Sequence, residues 1–146
     1  MHLQTAMLAD AARVAESKLY VFGGQWDRIY AHTFPATHAA LTVVLVIEVS
    51  YSEALTDHQL RVALMRDGEA IGPEARGLIN VGHAPGTSPG APAYMPITLP
   101  FENVRFDKAG RYEWVVTLND KAMGSVPLEV ALAPGSVIEE PAGYRD

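Results

Sequence analysis

LTVVLVIEV, residues 41 to 49, is apolar at every position from 43 to 47, and four of those five residues are β-branched. A run this short and this β-branched predicts a strand, and apolar side chains on both of its faces predict one in the middle of a sheet. Two readings of the doubled face stay open. Either both faces lie inside one domain, or a second subunit covers one of them, since a two-sheet sandwich normally leaves its outer faces polar.

Strand signals continue on either side of this segment. Upstream, Leu19-Tyr20-Val21-Phe22 stops at Gly23-Gly24, the way a strand ends in a turn or bulge. Leu3, Met7 and Val14 could share a helical face, but the run from Leu3 to Leu8 reads better as a strand. Downstream, Leu60, Val62 and Leu64 alternate up to Asp67-Gly68, a hairpin turn signal. GHAPGTSPGAP, residues 82 to 92, carries three prolines and three glycines and predicts a long loop. Tyr112, Trp114, Val116 and Leu118 alternate inward, Asn119-Asp120 starts a turn, and Val126, Leu128, Val130 and Leu132 alternate back. Pro127 has no N–H and belongs at an edge or at a position free of ladder bonds. Many short strands and almost no helical pattern predict an all-β, antiparallel β-sandwich over residues 1–133, followed by an extended C-terminal tail over 134–146.

Composition narrows the function classes. The chain has 146 residues, 49% apolar and 19% charged, which suits one globular domain with a core. Its formal charge is -6 and its basic residues are scattered, which argues against nucleic acid as a partner. There is no cysteine, so disulfides and thiolate metal sites are excluded, and a cytoplasmic setting fits. No apolar run approaches the ~20 residues that cross a bilayer as a helix, and a membrane is not expected.

The stretch Phe106 to Val116, with Gly110, Tyr112 and Trp114 at alternate positions, resembles the start of strand F in immunoglobulin-like domains. That resemblance implies that Tyr112 is a tyrosine-corner residue whose hydroxyl ties back to upstream backbone, with Trp114 filling the space of the missing disulfide. A second resemblance spans nearly the whole chain. Ala9-Asp10-Ala11, Lys18-Leu19, Gly23-Gly24-Gln25-Trp26-Asp27-Arg28-Ile29, Asp67-Gly68 and Gly110-Arg111-Tyr112 are similar to a small bacterial family of unknown function. It implies an immunoglobulin-like sandwich and brings no catalytic residues across. Ala15-Glu16-Ser17 stand before Lys18 where a glycine turn is expected.

GGQWDRIY, residues 23 to 30, is the best local clue to a site. In the bland reading it is a corner at a strand end, with Trp26 plugging the sandwich and Asp27 or Arg28 satisfying loop backbone. In the functional reading Trp26, Arg28 and Tyr30 alternate, project from one side of a strand and form a contact patch of hot-spot residue types. Gly86-Thr87-Ser88-Pro89-Gly90 matches the nucleophile-elbow pattern, but the residue after Ser88 is proline and has no N–H for an oxyanion hole. The histidines lack metal-ligand spacing, and a zinc site assembled from His32 and His38 with Asp57 or His58 is the weaker alternative to ordinary loop histidines.

The expectation is therefore a non-enzymatic structural or protein-interaction module, without cofactor or metal, serving as a homo-oligomer or as a subunit of a bacterial cytoplasmic assembly. Trp26, Asp27, Arg28, Tyr30 and Tyr144 of the tail are the expected contact residues, and Gly23, Gly24, Gly110, Tyr112 and Trp114 the architectural ones. The alternative is a small-ligand-binding sandwich in which Trp26, Arg28, Tyr94 and the 82–92 loop frame one pocket.

Overall fold

A computed structural model describes residues 1–135. Nine strands follow one another: β1 (His2–Ala15), β2 (Lys18–Trp26), β3 (Arg28–Ala31), β4 (Ala36–Val49), β5 (His58–Arg66), β6 (Glu69–Ile79), β7 (Ala93–Phe106), β8 (Gly110–Leu118) and β9 (Lys121–Leu132), with one 3-10 turn at Tyr51–Glu53. They form two sheets, ordered β2-β1-β4-β7 and β3-β9-β8-β5-β6. Among the described residues every strand pair is antiparallel except β3 with β9. The parallel pair arises because the chain crosses between sheets at Asp27 and meets β9 running in its own direction, a pairing that strand patterns alone do not announce.

The segment Leu41–Val49 is an interior strand, flanked by β1 and β7. Leu41, Val43, Leu45, Ile47 and Val49 point into the space between the sheets, where they meet Val62, Leu64, Trp114, Val116 and Leu128 from the other layer. Each such side chain taken from water stabilises by roughly 1.5–3 kcal/mol. Trp114 is fully buried at the centre, its ring centroid 4.5 Å from that of Phe101.

The opposite face of β4 is covered too, by the chain itself. Val44 and Ala9 are 0% exposed and Thr42 4%, although all three point away from the inter-sheet core. β1 pairs with β4 only as far as Ala9↔Thr42, and beyond Ala9 it pairs with β2 alone. β1 touches β7 even though β4 lies between them in the sheet. Ser17, at the hairpin tip, lines the same cavity as Val49 and Tyr94 at the far end of β4 and β7. The β1–β2 hairpin thus doubles back over its own sheet. A break in the β1–β2 register between Leu8 and Ala9 marks the bend.

Gly23 and Gly24 serve this bend. Gly23 has φ +59°, and a Cβ on it would run into the Asp10 carboxylate, so a side chain would be both strained and crowded. Gly24 lies opposite Ala9. Pro127 occupies a position free of ladder bonds: the Glu129 N–H points to Asp27 O on the β3 side, so the nitrogen of residue 127 faces that side as well, where β3 has not yet begun.

Candidate functional site

Asp27 belongs to no strand, and across it the chain passes from the first sheet to the second. This breaks the alternation expected of Trp26, Arg28 and Tyr30. Trp26 is half-buried, packs against the core and sits 5.8 Å from the His38 ring, while Ile29 and Ala31 carry the inward positions of β3. Arg28 and Tyr30 therefore point outward, the guanidinium 5.9 Å from the Tyr30 ring centroid and 3.7 Å from Glu129. The three do not form one patch. Residues 23–30 are a sheet-to-sheet corner plugged by Trp26, with an exposed Arg28–Tyr30 pair beside it. Tyr144 lies outside the described residues.

Gly110 and Tyr112 lie at the same end of the β5–β8–β9 layer as this corner, across the β9 strand that pairs with both β3 and β8. The Tyr112 hydroxyl donates to Lys108 O and receives a 3.1 Å hydrogen bond from Arg66 Nη1. Gly110 leaves room for that arginine, since a Cβ there would be 2.8 Å from a guanidinium nitrogen. Phe106 meets the Tyr112 ring edge-on at 5.0 Å.

Two cavities matter for a ligand. A cleft of 630 Å³ is lined by Asp27, Arg28, Arg66, Asp67, Arg111 and Glu129, among others. A second, of 430 Å³, lies between the 50–54 segment and the 82–92 loop, with Tyr51 and His83 stacked at 4.0 Å and Tyr94 on its rim. Arg28 lines the first and Tyr94 the second, and Trp26 lines neither, so the four features expected to frame one pocket are split between opposite ends of the sandwich. The histidines are divided in the same way. His38 packs on Trp26 near the start of β4, while His58, past its end, contacts Glu53 O at 2.7 Å and Thr56 at 3.0 Å. Among the described residues no group of three or more His, Asp or Glu could hold a metal ion.

Among the described residues two carboxyls are perturbed. Glu53 is held at about 2 because the N-terminal ammonium of Met1 donates to both of its oxygens, at 2.7 and 2.8 Å, and Ser50 Oγ donates at 2.6 Å. Glu74 is held below its ordinary range by Arg76 and Arg61, which clamp it on the outer face of β6.

What sequence reading missed is the hairpin's own upper face. Ala11 pairs with Phe22 and Arg13 with Tyr20, which sets the two aromatics side by side on one face. Phe22 is 62% exposed and Tyr20 42%. The signal was present in the alternation of Tyr20 and Phe22, but nothing local to the sequence says which face of a hairpin stays uncovered.

A sequence family described only as a family of unknown function (DUF6941) matches residues 4–131. The chain belongs to that family. The family's span runs from early β1 to the last residues of β9, so hairpin, corner and core all fall within it. Neither a curated protein nor a solved structure matches the chain.

Proposed function

We propose that this member of the family is a non-enzymatic contact module, acting as a subunit of a bacterial cytoplasmic assembly through the face of the β1–β2 hairpin that carries Tyr20 and Phe22. The exposure of Phe22 beside Tyr20 carries the reading. Large aromatics on a face with no cover are the residue types that anchor protein contacts, because each removes much apolar area from water at little cost in side-chain entropy. The perturbed carboxyls favour the same view: Glu53 and Glu74 are lowered by cations that pair with them, the sense of structural pairing and not of an acid poised to give up a proton. A chain without cysteine suits a reducing compartment.

The immunoglobulin-like reading of the sandwich rests on strand order. β1, β4 and β7 follow one another as strands A, B and E do, and β9, β8, β5 and β6 as G, F, C and C′ do, with the Tyr112 hydroxyl bonded back to Lys108 O. The test of the contact reading is a photo-crosslinking residue placed at position 22 in cells producing the protein, with exposed Lys121 as the control position. The reading expects adducts from position 22 and none from position 121; equal yields contradict it.

A ligand reading is favoured by one observation, the 630 Å³ cleft beside Asp27 and Arg28, whose mixed arginines and carboxylates suit a small molecule carrying both charges. An Arg111→Ala variant with unchanged binding across a panel of such compounds contradicts it.

A further inference from the structure

The free edges of the sandwich are not equally protected, and the stretch of β1 beyond Ala9, which pairs with β2 alone, carries Asp10 and Arg13. β3 is only four residues long. β6 carries Pro73, Glu69, Glu74 and Arg76, and its register with β5 shifts between Ala63 and Met65. β7 carries Pro96 and Pro100. Short length, proline, charge and bulges are the devices that stop a free edge from pairing with another chain. β2 is different. From Leu19 to Phe22 it has no charge, no proline and no bulge, its break in register with β1 falling farther along, opposite Gly24 and Trp26.

The geometry of its free edge follows from the turn. Glu16 and Ser17, both at positive φ (53° and 61°), make a two-residue turn, and Ala15 pairs with Lys18. In such a hairpin the pair flanking the turn exchanges hydrogen bonds, and the next residue along faces the other way. Lys18, Tyr20 and Phe22 therefore bond toward β1, and the N–H and C=O groups of Leu19 and Val21 point to the open side. Gly23 and Gln25, at positive φ (59° and 66°), end the regular stretch. Five residues, 18 to 22, are free to pair.

We propose that the occupant of this edge is β2 of a second copy, in an antiparallel, two-fold pairing centred on Tyr20. This rests on the contact reading above and names its partner. Centred there, Leu19 and Val21 of each copy exchange main-chain hydrogen bonds, Tyr20 meets Tyr20, and the Lys18 stem lies against Phe22 of the other copy on the same face. The chain carries a net charge of -6, but residues 9 to 26 hold Asp10, Arg13, Glu16 and Lys18, two of each sign, so two copies can approach here without the repulsion that opposes contact elsewhere. A two-fold contact uses one patch on both partners, and closes.

The test is sedimentation equilibrium on the full-length protein over a range of concentrations. The wild type is expected to reach twice the 15.8 kDa chain mass. Val21→Pro removes an outward N–H but no bond to β1, and is expected to give a monomer with an unchanged far-ultraviolet circular dichroism spectrum. Phe22→Glu, which leaves the backbone alone, is expected to weaken the dimer at least about tenfold, or 1.4 kcal/mol. A wild type that stays monomeric at the highest concentration overturns the pairing, as does a dimer that survives both substitutions. Crosslinking from position 22 separates the two levels: adducts to a different chain, with a monomeric wild type, retire the self-pairing and leave the contact reading standing.

Discussion

The β8–β9 and β1–β2 hairpins are the same local object with opposite fates. Each is an antiparallel pair closed by two residues at positive φ, Asn119-Asp120 in one (50° and 65°) and Glu16-Ser17 in the other (53° and 61°). β8–β9 lies between β5 and β3 in its sheet, with Tyr112, Trp114, Val116, Val126, Leu128 and Val130 all buried. β1–β2 folds over the outside of the other sheet, where it buries Val44 and Thr42 but keeps Tyr20 and Phe22 in solvent. Apolar content does not separate them. What separates them is whether a second layer lies over the face, which makes one hairpin a core and the other a surface.

The largest effect that could break this contrast is in the core. Trp114→Ala is expected to cost about 3–5 kcal/mol in urea unfolding, because a fully buried indole leaves a cavity that β4 and β5 cannot close. Phe22→Ala, the matching truncation on the exposed hairpin, is expected to change the stability of the dilute monomer by less than about 0.5 kcal/mol. Similar costs at the two sites would erase the distinction.

Tyr112→Phe sharpens the account of how β8 begins. Removing the hydroxyl leaves Lys108 O and Arg66 without their shared partner, and a loss of about 1–2 kcal/mol is expected from the same unfolding measurement.

A pH titration of stability tests the end of the sandwich where β4 finishes. The Glu53 carboxyl sits at about 2 in the folded chain and near 4.5 when unfolded. Its folded value is depressed, so it stabilises above 4.5, and that contribution drains away as pH falls from about 4.5 through 2. Glu53 is about a third exposed (34%), so solvent screening holds the contribution to the order of 1 kcal/mol. Glu53→Gln is expected to flatten that part of the profile, and an unaltered profile contradicts the assignment.

A gain smaller than these losses belongs to the exposed hairpin's turn. Replacing Glu16-Ser17 by Asn-Gly is expected to stabilise by about 0.5–1 kcal/mol in thermal unfolding, since both positions are left-handed and neither native residue favours that region.

Much of this architecture could be read from residue order. The apolar run at 43–47 marks an interior strand because both of its faces are covered, and the alternation from Tyr112 to Leu132 lays out a hairpin with one buried face. The corner was half legible. Gly23-Gly24 and Trp26 signal a bend and a plug, but Asp27 resets the alternation, and only the sheet crossing shows that Arg28 and Tyr30 part company with Trp26. The contact face was the least legible part. Tyr20 and Phe22 alternate on a strand as core residues do, and their exposure is decided by a fold-back at Ala9 that depends on contacts with β7, far away in sequence.

Amide hydrogen exchange, followed residue by residue in dilute and in concentrated protein, tests the contrast between the two hairpins most directly. Tyr112 to Val116 are expected to exchange only through global unfolding at both concentrations, while Leu19 and Val21 exchange fast when dilute and become protected when concentrated. Protection of Leu19 and Val21 that is already complete in the dilute monomer would contradict it, because their edge would then be closed by the chain itself.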